Sequence, residues 1–120
     1  MQYTIDYTNK FKKQYKKIIK QGKDLTKLYK TIEKIANKEK LELKFNNHNL
    51  INNKIYKNCK ECHIEPDWLL IYQINDNKLI LLLIATGSHS ELFDKNLLIC
   101  YYIIAFWKGN NYVKQSNYNN

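Results

Sequence analysis

The chain predicts an α+β fold, a mainly antiparallel four-stranded sheet with a helical hairpin packed on it, and three observations carry that prediction. Its opening stretch, residues 2–7, alternates apolar and polar side chains as a half-buried strand does. Two segments after it, broken at Gly22, repeat apolar residues at helical spacing. Three more apolar runs then follow, parted by Pro66-Asp67 and by Asn75-Asp76-Asn77, residue types that turn a chain. The element order is therefore β-α-α-β-β-β.

Each element has its own cause. Thr8 or Asn9 offers a side-chain oxygen to cap the first helix. Phe11, Tyr15, Ile18 and Ile19 line one side of it, and Lys12, Lys13, Lys16, Lys17 and Lys20 are spread around the rest of the wheel. Gly22 ends that helix. Asp24 caps the second, where Leu25, Leu28, Tyr29, Ile32, Ile35 and Ala36 form a nearly continuous apolar stripe. From Asn37 to Asn53 the chain is polar and irregular, with Leu41, Leu43 and Phe45 expected to anchor it on the core. Strands are expected at about 54–64, 68–74 and 79–85. The runs from Leu69 to Ile74 and from Leu79 to Ala85 are mostly apolar on both faces, as central strands are. Residues 1–93 read as one complete domain. Residues 94–120 read as an added extension, apolar and aromatic at first and then rich in asparagine.

Composition narrows the partners. Twenty basic residues against eleven acidic give a formal net charge of +9, a field that favours polyanions. Every basic residue is a lysine, so phosphate would be met by point charges and not by the bidentate fork of arginine. The three cysteines and a lysine-studded start without an apolar core point to a reducing, cytoplasmic setting. The longest uncharged apolar run, Leu97 to Trp107, would reach about 16 Å as a helix, roughly half of a bilayer's hydrocarbon core. No membrane span is expected. Cys59-Lys60-Glu61-Cys62-His63 has the spacing of a haem attachment, but strand residues three apart point to opposite faces. Nor does either cysteine suggest a zinc site, which needs four converging ligands. No cofactor and no metal are expected, and Cys62 with Ile64 is assigned to the core.

The chemistry concentrates in His63-Ile64-Glu65-Pro66-Asp67-Trp68 and in Thr86-Gly87-Ser88-His89 ending at Leu92-Phe93, with His48 upstream in Asn47-His48-Asn49-Leu50. Imidazole takes and gives protons near neutrality. With Tyr7-Thr8 leading into Phe11-Lys12-Lys13, these motifs resemble the RelE/ParE superfamily of bacterial toxins, most closely its YafQ branch. The resemblance covers about residues 3–93. It implies a RelE-like microbial-ribonuclease fold and a type II toxin–antitoxin toxin that cuts messenger RNA on the ribosome without a metal. It also implies a RelB- or DinJ-like antitoxin as partner, with contacts to messenger and ribosomal RNA.

By that resemblance His48, His63, Asp67, Trp68, His89 and Phe93 form the site. Such cleavage needs a base for a 2′-hydroxyl, an acid for the departing 5′-oxygen and positive charge about the phosphate. The resemblance gives His89 the acid role; Asp67, His63 and His48 all stay open as the base. Trp68 and Phe93 are expected to stack bases. Two positions depart from the family: Ala85 and Lys60 stand where such toxins commonly carry arginine. Lys54, Lys57 or Lys60 would then supply the charge, and Ala85→Arg is expected to raise cleavage. A gyrase-poisoning relative and a decayed toxin that only binds its antitoxin are the competing readings. The histidine set argues against the first; Ala85 and the extension motivate the second.

Overall fold

The structure, a computed structural model, describes residues 2–93. The extension therefore lies outside the described residues, as does the run from Leu97 to Trp107. The elements are β1 (Thr4–Tyr7), α1 (Asn9–Lys20), α2 (Leu25–Ala36), a single 3₁₀ turn at Leu43–Phe45, β2 (His48–Asn49), β3 (Lys60–Glu65), β4 (Trp68–Asn75), β5 (Ile80–Gly87) and α3 (His89–Phe93). They form one sheet in the order β1-β5-β4-β3-β2. β1 runs parallel to β5, and every other pairing is antiparallel.

The helical hairpin forms where the spacing places it. The Thr8 hydroxyl accepts from Phe11 N at 3.0 Å and donates to Ile84 O at 2.9 Å, so one side chain both caps α1 and ties it to β5. Gly22, at φ +73°, takes the left-handed turn after α1, and Lys23 N returns to Ile18 O. Asp24 Oδ1 accepts from Thr26 N at the start of α2. Phe11 and Ile18 of α1 and Leu28, Ile32, Ile35 and Ala36 of α2 are buried against Cys62, Trp68, Leu70, Tyr72, Leu81 and Leu83 of the sheet. This is the main core. Leu41 joins it and Phe45 packs on its margin, but Leu43 is 95% exposed, so that anchor is not used.

Two differences from the sequence expectation bear on the site. The strand expected at 54–64 begins only at Lys60. Asn52 and Asn58 adopt left-handed φ, and the Asn53 side chain accepts from Ile55 N and Tyr56 N, so this stretch turns instead of extending. The sheet also gains a short fifth strand, because His48 and Asn49, within the stretch read as irregular, pair with Glu61 and Lys60. β5 carries a bulge. Tyr72 faces Leu83 and Ile71 faces Ala85, which leaves Ile84 without a partner across the ladder.

Candidate active site

On a strand, alternate residues share a face. Cys62 and Ile64 of β3 turn to the helices, so Glu61 and His63 turn away from them, on the side of Leu69, Ile71 and Ala85. β2 then sets His48 directly across from Glu61. Pro66 and Asp67 form the two-residue turn between β3 and β4, Glu65 being paired with Trp68. That turn lies at the end of the sheet where β5 runs into α3.

α3 is held by a reciprocal cap. Ser88 N donates to Glu91 Oε1 at 2.9 Å and Glu91 N to Ser88 Oγ at 3.2 Å. Lys17 of α1 makes an ion pair with the same Glu91. Burial pushes the Glu91 carboxyl up, but Lys17 and Ser88 outweigh it and hold the group below its ordinary range. A Cβ on Gly87 would come within 3.2 Å of Glu91 Oε1, so a larger residue there would push the capping carboxylate by a few tenths of an ångström. The cap delivers His89 to Asp67. Asp67 Oδ1 accepts from His89 N at 2.9 Å and lies 2.8 Å from His89 Nδ1. Both bonds hold the Asp67 carboxyl below its usual range, the backbone one most, so it is ionised at neutral pH.

The three imidazoles form a chain of neighbours. The His63 ring centre is 5.3 Å from that of His89 and 6.5 Å from that of His48. Glu61, only 5% exposed, serves two of them: Oε1 is 3.3 Å from His63 Nε2 and Oε2 is 3.8 Å from His48 Nε2. His63 Nδ1 lies 3.3 Å from Pro66 O, and His48 Nδ1 lies 2.6 Å from Asn46 O. A carbonyl only accepts, so both Nδ1 atoms carry the proton there, and the Nε2 atoms are left to face the carboxylate or a ligand. Glu61 is the residue that sequence reasoning missed. Its signal was present: two positions before His63 on a strand is the same face.

Other expected residues divide. Phe93 is partly exposed, edge-on to Tyr56 at 5.5 Å and 6.4 Å from His89, so it stays with the site. Trp68 does not: it is 0% exposed among core residues, with Nε1 donating to Thr86 Oγ1 at 3.0 Å. Core side chains and the Lys23 ammonium, 5.5 Å over the ring centre, cover it, so no ring face is open to stack a base. Lys54 and Lys57 are exposed and line a polar concavity with Asn49, beside His48. Lys60 stands across from Tyr72 of the helix-side core, and so leaves the sheet on the face away from His63. Ala85 is on the site face but fully buried with Tyr56 and Leu92, so an arginine there would first have to displace packed side chains. Cys62 packs in the helix-side core and Cys59 in the cluster on the other face. Burial pushes their thiols up to about 12 and about 11, so neither is a ready thiolate.

Glu61, His63 and His89 each offer one ligand atom, and these atoms lie within 4.8 Å of one another. Two imidazole nitrogens and one carboxylate oxygen are a donor set suited to zinc or copper(II). Among the described residues no helix is long and apolar enough to cross a membrane.

A family model described as the bacterial toxin of type II toxin–antitoxin systems, YafQ, matches residues 3–94. The curated mRNA interferase toxin YafQ of Escherichia coli (strain B / BL21-DE3) is 35% identical over 94 residues, which are 78% of this chain and 98% of that protein. Among solved structures, a metal-bound toxin from Helicobacter pylori is 41% identical with a TM-score of 0.71, over 78% of this chain and 100% of the other. The E. coli DinJ–YafQ toxin–antitoxin complex is 32% identical with a TM-score of 0.69, over 78% and 99%.

Proposed function

The chain belongs to the YafQ family of toxins of type II toxin–antitoxin systems, and from that premise we propose how its imidazoles cut RNA. It is an mRNA interferase, an endoribonuclease, and its partner is a DinJ-like antitoxin. The reaction we assign is attack of a ribose 2′-oxygen on the adjacent phosphate of a message on the ribosome, in the cytoplasm. His48 is the base. Its Nδ1 proton is fixed on Asn46 O, so the Nε2 lone pair takes the 2′-hydroxyl proton. His89 is the acid: Asp67 holds Nδ1 and orients the ring, and Nε2 delivers a proton to the departing 5′-oxygen. His63, with Glu61 behind it, supplies charge between the two. The products are a 2′,3′-cyclic phosphate and a 5′-hydroxyl. Asp67 is therefore a positioning residue; its Oδ1 accepts both bonds to His89, and its carboxyl, held below the ordinary range, is a weak base. Lys54, Lys57 and Phe93 hold the RNA nearby.

The observation that carries this reading is the convergence of three imidazoles, drawn from a loop strand, a central strand and a helix start, beside two carboxylates. The reaction routes no step through a metal. A borderline divalent ion held by Glu61, His63 and His89 would take nitrogen lone pairs that proton transfer requires. The test is induced expression with mapping of mRNA 5′ ends, beside cleavage by the purified protein. Cuts within coding sequence bearing 5′-hydroxyls are expected. They should persist in chelator, fall with added zinc, and drop about 10²–10⁴-fold in His89→Ala at unchanged melting temperature. DNA damage without cuts would favour gyrase poisoning, and neither effect a toxin that has lost its chemistry.

A further inference from the structure

A second concavity, of about 580 Å³, adjoins the catalytic row, because His63 belongs to its lining. β2 pairs only with Lys60 and Glu61, so the rest of β3 has no strand on that side among the described residues, and the concavity lies against it. Its floor is apolar: Phe45, Ile64 and Pro66. Its rim is basic. Lys27, Lys30 and Lys34 stand at positions i, i+3 and i+7 of α2, one face of a helix, and Lys44 comes from the 3₁₀ turn opposite. Two carboxylates face these four ammonium groups. Glu65 pairs with Lys27 at 2.8 Å, and Glu42 is shared between Lys34 and Lys44 at 3.2 and 3.8 Å. Lys30 meets no carboxylate within 4.0 Å among the described residues. Lys34 and Lys44 also hold their ammonium groups over the Phe45 ring, 5.6 and 5.5 Å from its centre.

We propose that this concavity is a nucleotide subsite for the message, holding one base beside the cleaved bond on Phe45, Ile64 and Pro66 and the flanking phosphates on Lys30, Lys34 and Lys44. The proposal rests on the nuclease reading above. A stacked base with its phosphates requires an aromatic surface with mobile cations beside it, and the Lys34 and Lys44 ends now over Phe45 can swing to phosphates as the base takes the ring. The volume falls in the range of small-ligand clefts, roughly 300–1,000 Å³. The shared His63 makes the path from base to scissile phosphate continuous. In this arrangement the RNA lies along α2, and the missing arginines of the family are offset by lysines outside the catalytic row.

The test uses the full chain and a twelve-residue 2′-O-methyl RNA, which lacks the attacking hydroxyl. Lys30→Glu combined with Lys44→Glu should weaken its binding about tenfold or more and lower the log–log salt slope by roughly 1. The same charge change made by Lys38→Glu with Lys78→Glu should alter affinity less than about threefold, since Lys38 sits past the end of α2 over Tyr3, Lys78 lies between β4 and β5, and neither lines the concavity. All four lysines are exposed, wholly or in large part, so an unchanged melting temperature is expected. A 4-thiouridine version of the RNA should crosslink to the peptide that carries Phe45. Unchanged affinity and salt slope in the Lys30/Lys44 variant, with His89-dependent cleavage intact in the wild type, would sink the subsite alone. Loss of antitoxin binding with RNA binding retained would overturn it in favour of a protein surface. A wild type that neither binds nor cuts RNA removes the functional reading and the subsite together.

Discussion

The sheet turns one face to the helices and the other to the catalytic groups, and the same strands build both. Toward the helices go Cys62, Leu70, Tyr72, Leu81 and Leu83, closed over by Phe11, Ile18, Leu28 and Ile32. One step along the same strands, the opposite face carries Glu61, His63, Leu69, Ile71 and Ala85, with His48 and His89 at its margin. The first face gains its energy from removing apolar surface from water. The second keeps titratable groups that a core would reject, each held by a polar partner. Asp67 and Trp68 stand side by side and show the divide: one turns a carboxylate to His89, the other is buried whole. Adjacency in sequence says little about shared work when the chain is extended.

Three substitutions probe that divide. Trp68→Ala removes the largest fully buried side chain among the described residues and should cost about 3–5 kcal/mol in chemical denaturation. RNA affinity per folded molecule should not change; a specific loss of affinity would return Trp68 to the site. Ala85→Arg should cost roughly 1–3 kcal/mol from overpacking against Tyr56 and Leu92, read as a lowered urea midpoint, and should not raise cleavage. A more active and equally stable variant would show that the guanidinium finds its way into the site. Asp67→Asn should act least on stability, and only through pH. The Asp67 carboxyl titrates below its ordinary value near 3.8, so its stabilisation is present above that value and is lost as pH falls through the depressed one. The variant should be less stable than wild type at neutral pH, and the two should converge in strong acid. A constant difference down to the lowest pH would mean that the His89 contacts do not depend on the carboxylate's charge.

The helices were legible because their signals are local. Thr8, Gly22 and Asp24 cap or end them as those residue types do, and the apolar stripes face the sheet. The turn at Pro66-Asp67 and the central strands were legible for the same reason. The resemblance led to His48, His63, Asp67 and His89 as one group, and the structure brings them together. What stayed hidden depends on register. Glu61 joins the site because β2 sets His48 across from it, and a two-residue strand leaves no periodic trace. Trp68 is a core residue because it alternates along β4 with Leu70 and Tyr72 on the helix-side face, a parity that its place in the motif does not reveal. Lys60 follows the same parity, across from Tyr72, and the test applied to the two cysteines would have placed it.

The unpaired Ile84 gives β5 one residue of slack. Losing a single residue between positions 83 and 85 would still leave an apolar side chain opposite Tyr72 and another opposite Ile71, so everything downstream, His89 included, would keep its place. β4 has no such reserve, and the same loss there would invert the strand and carry its inner side chains outward. Length variation in this domain should therefore be tolerated on one side of the central hairpin and lethal to folding on the other.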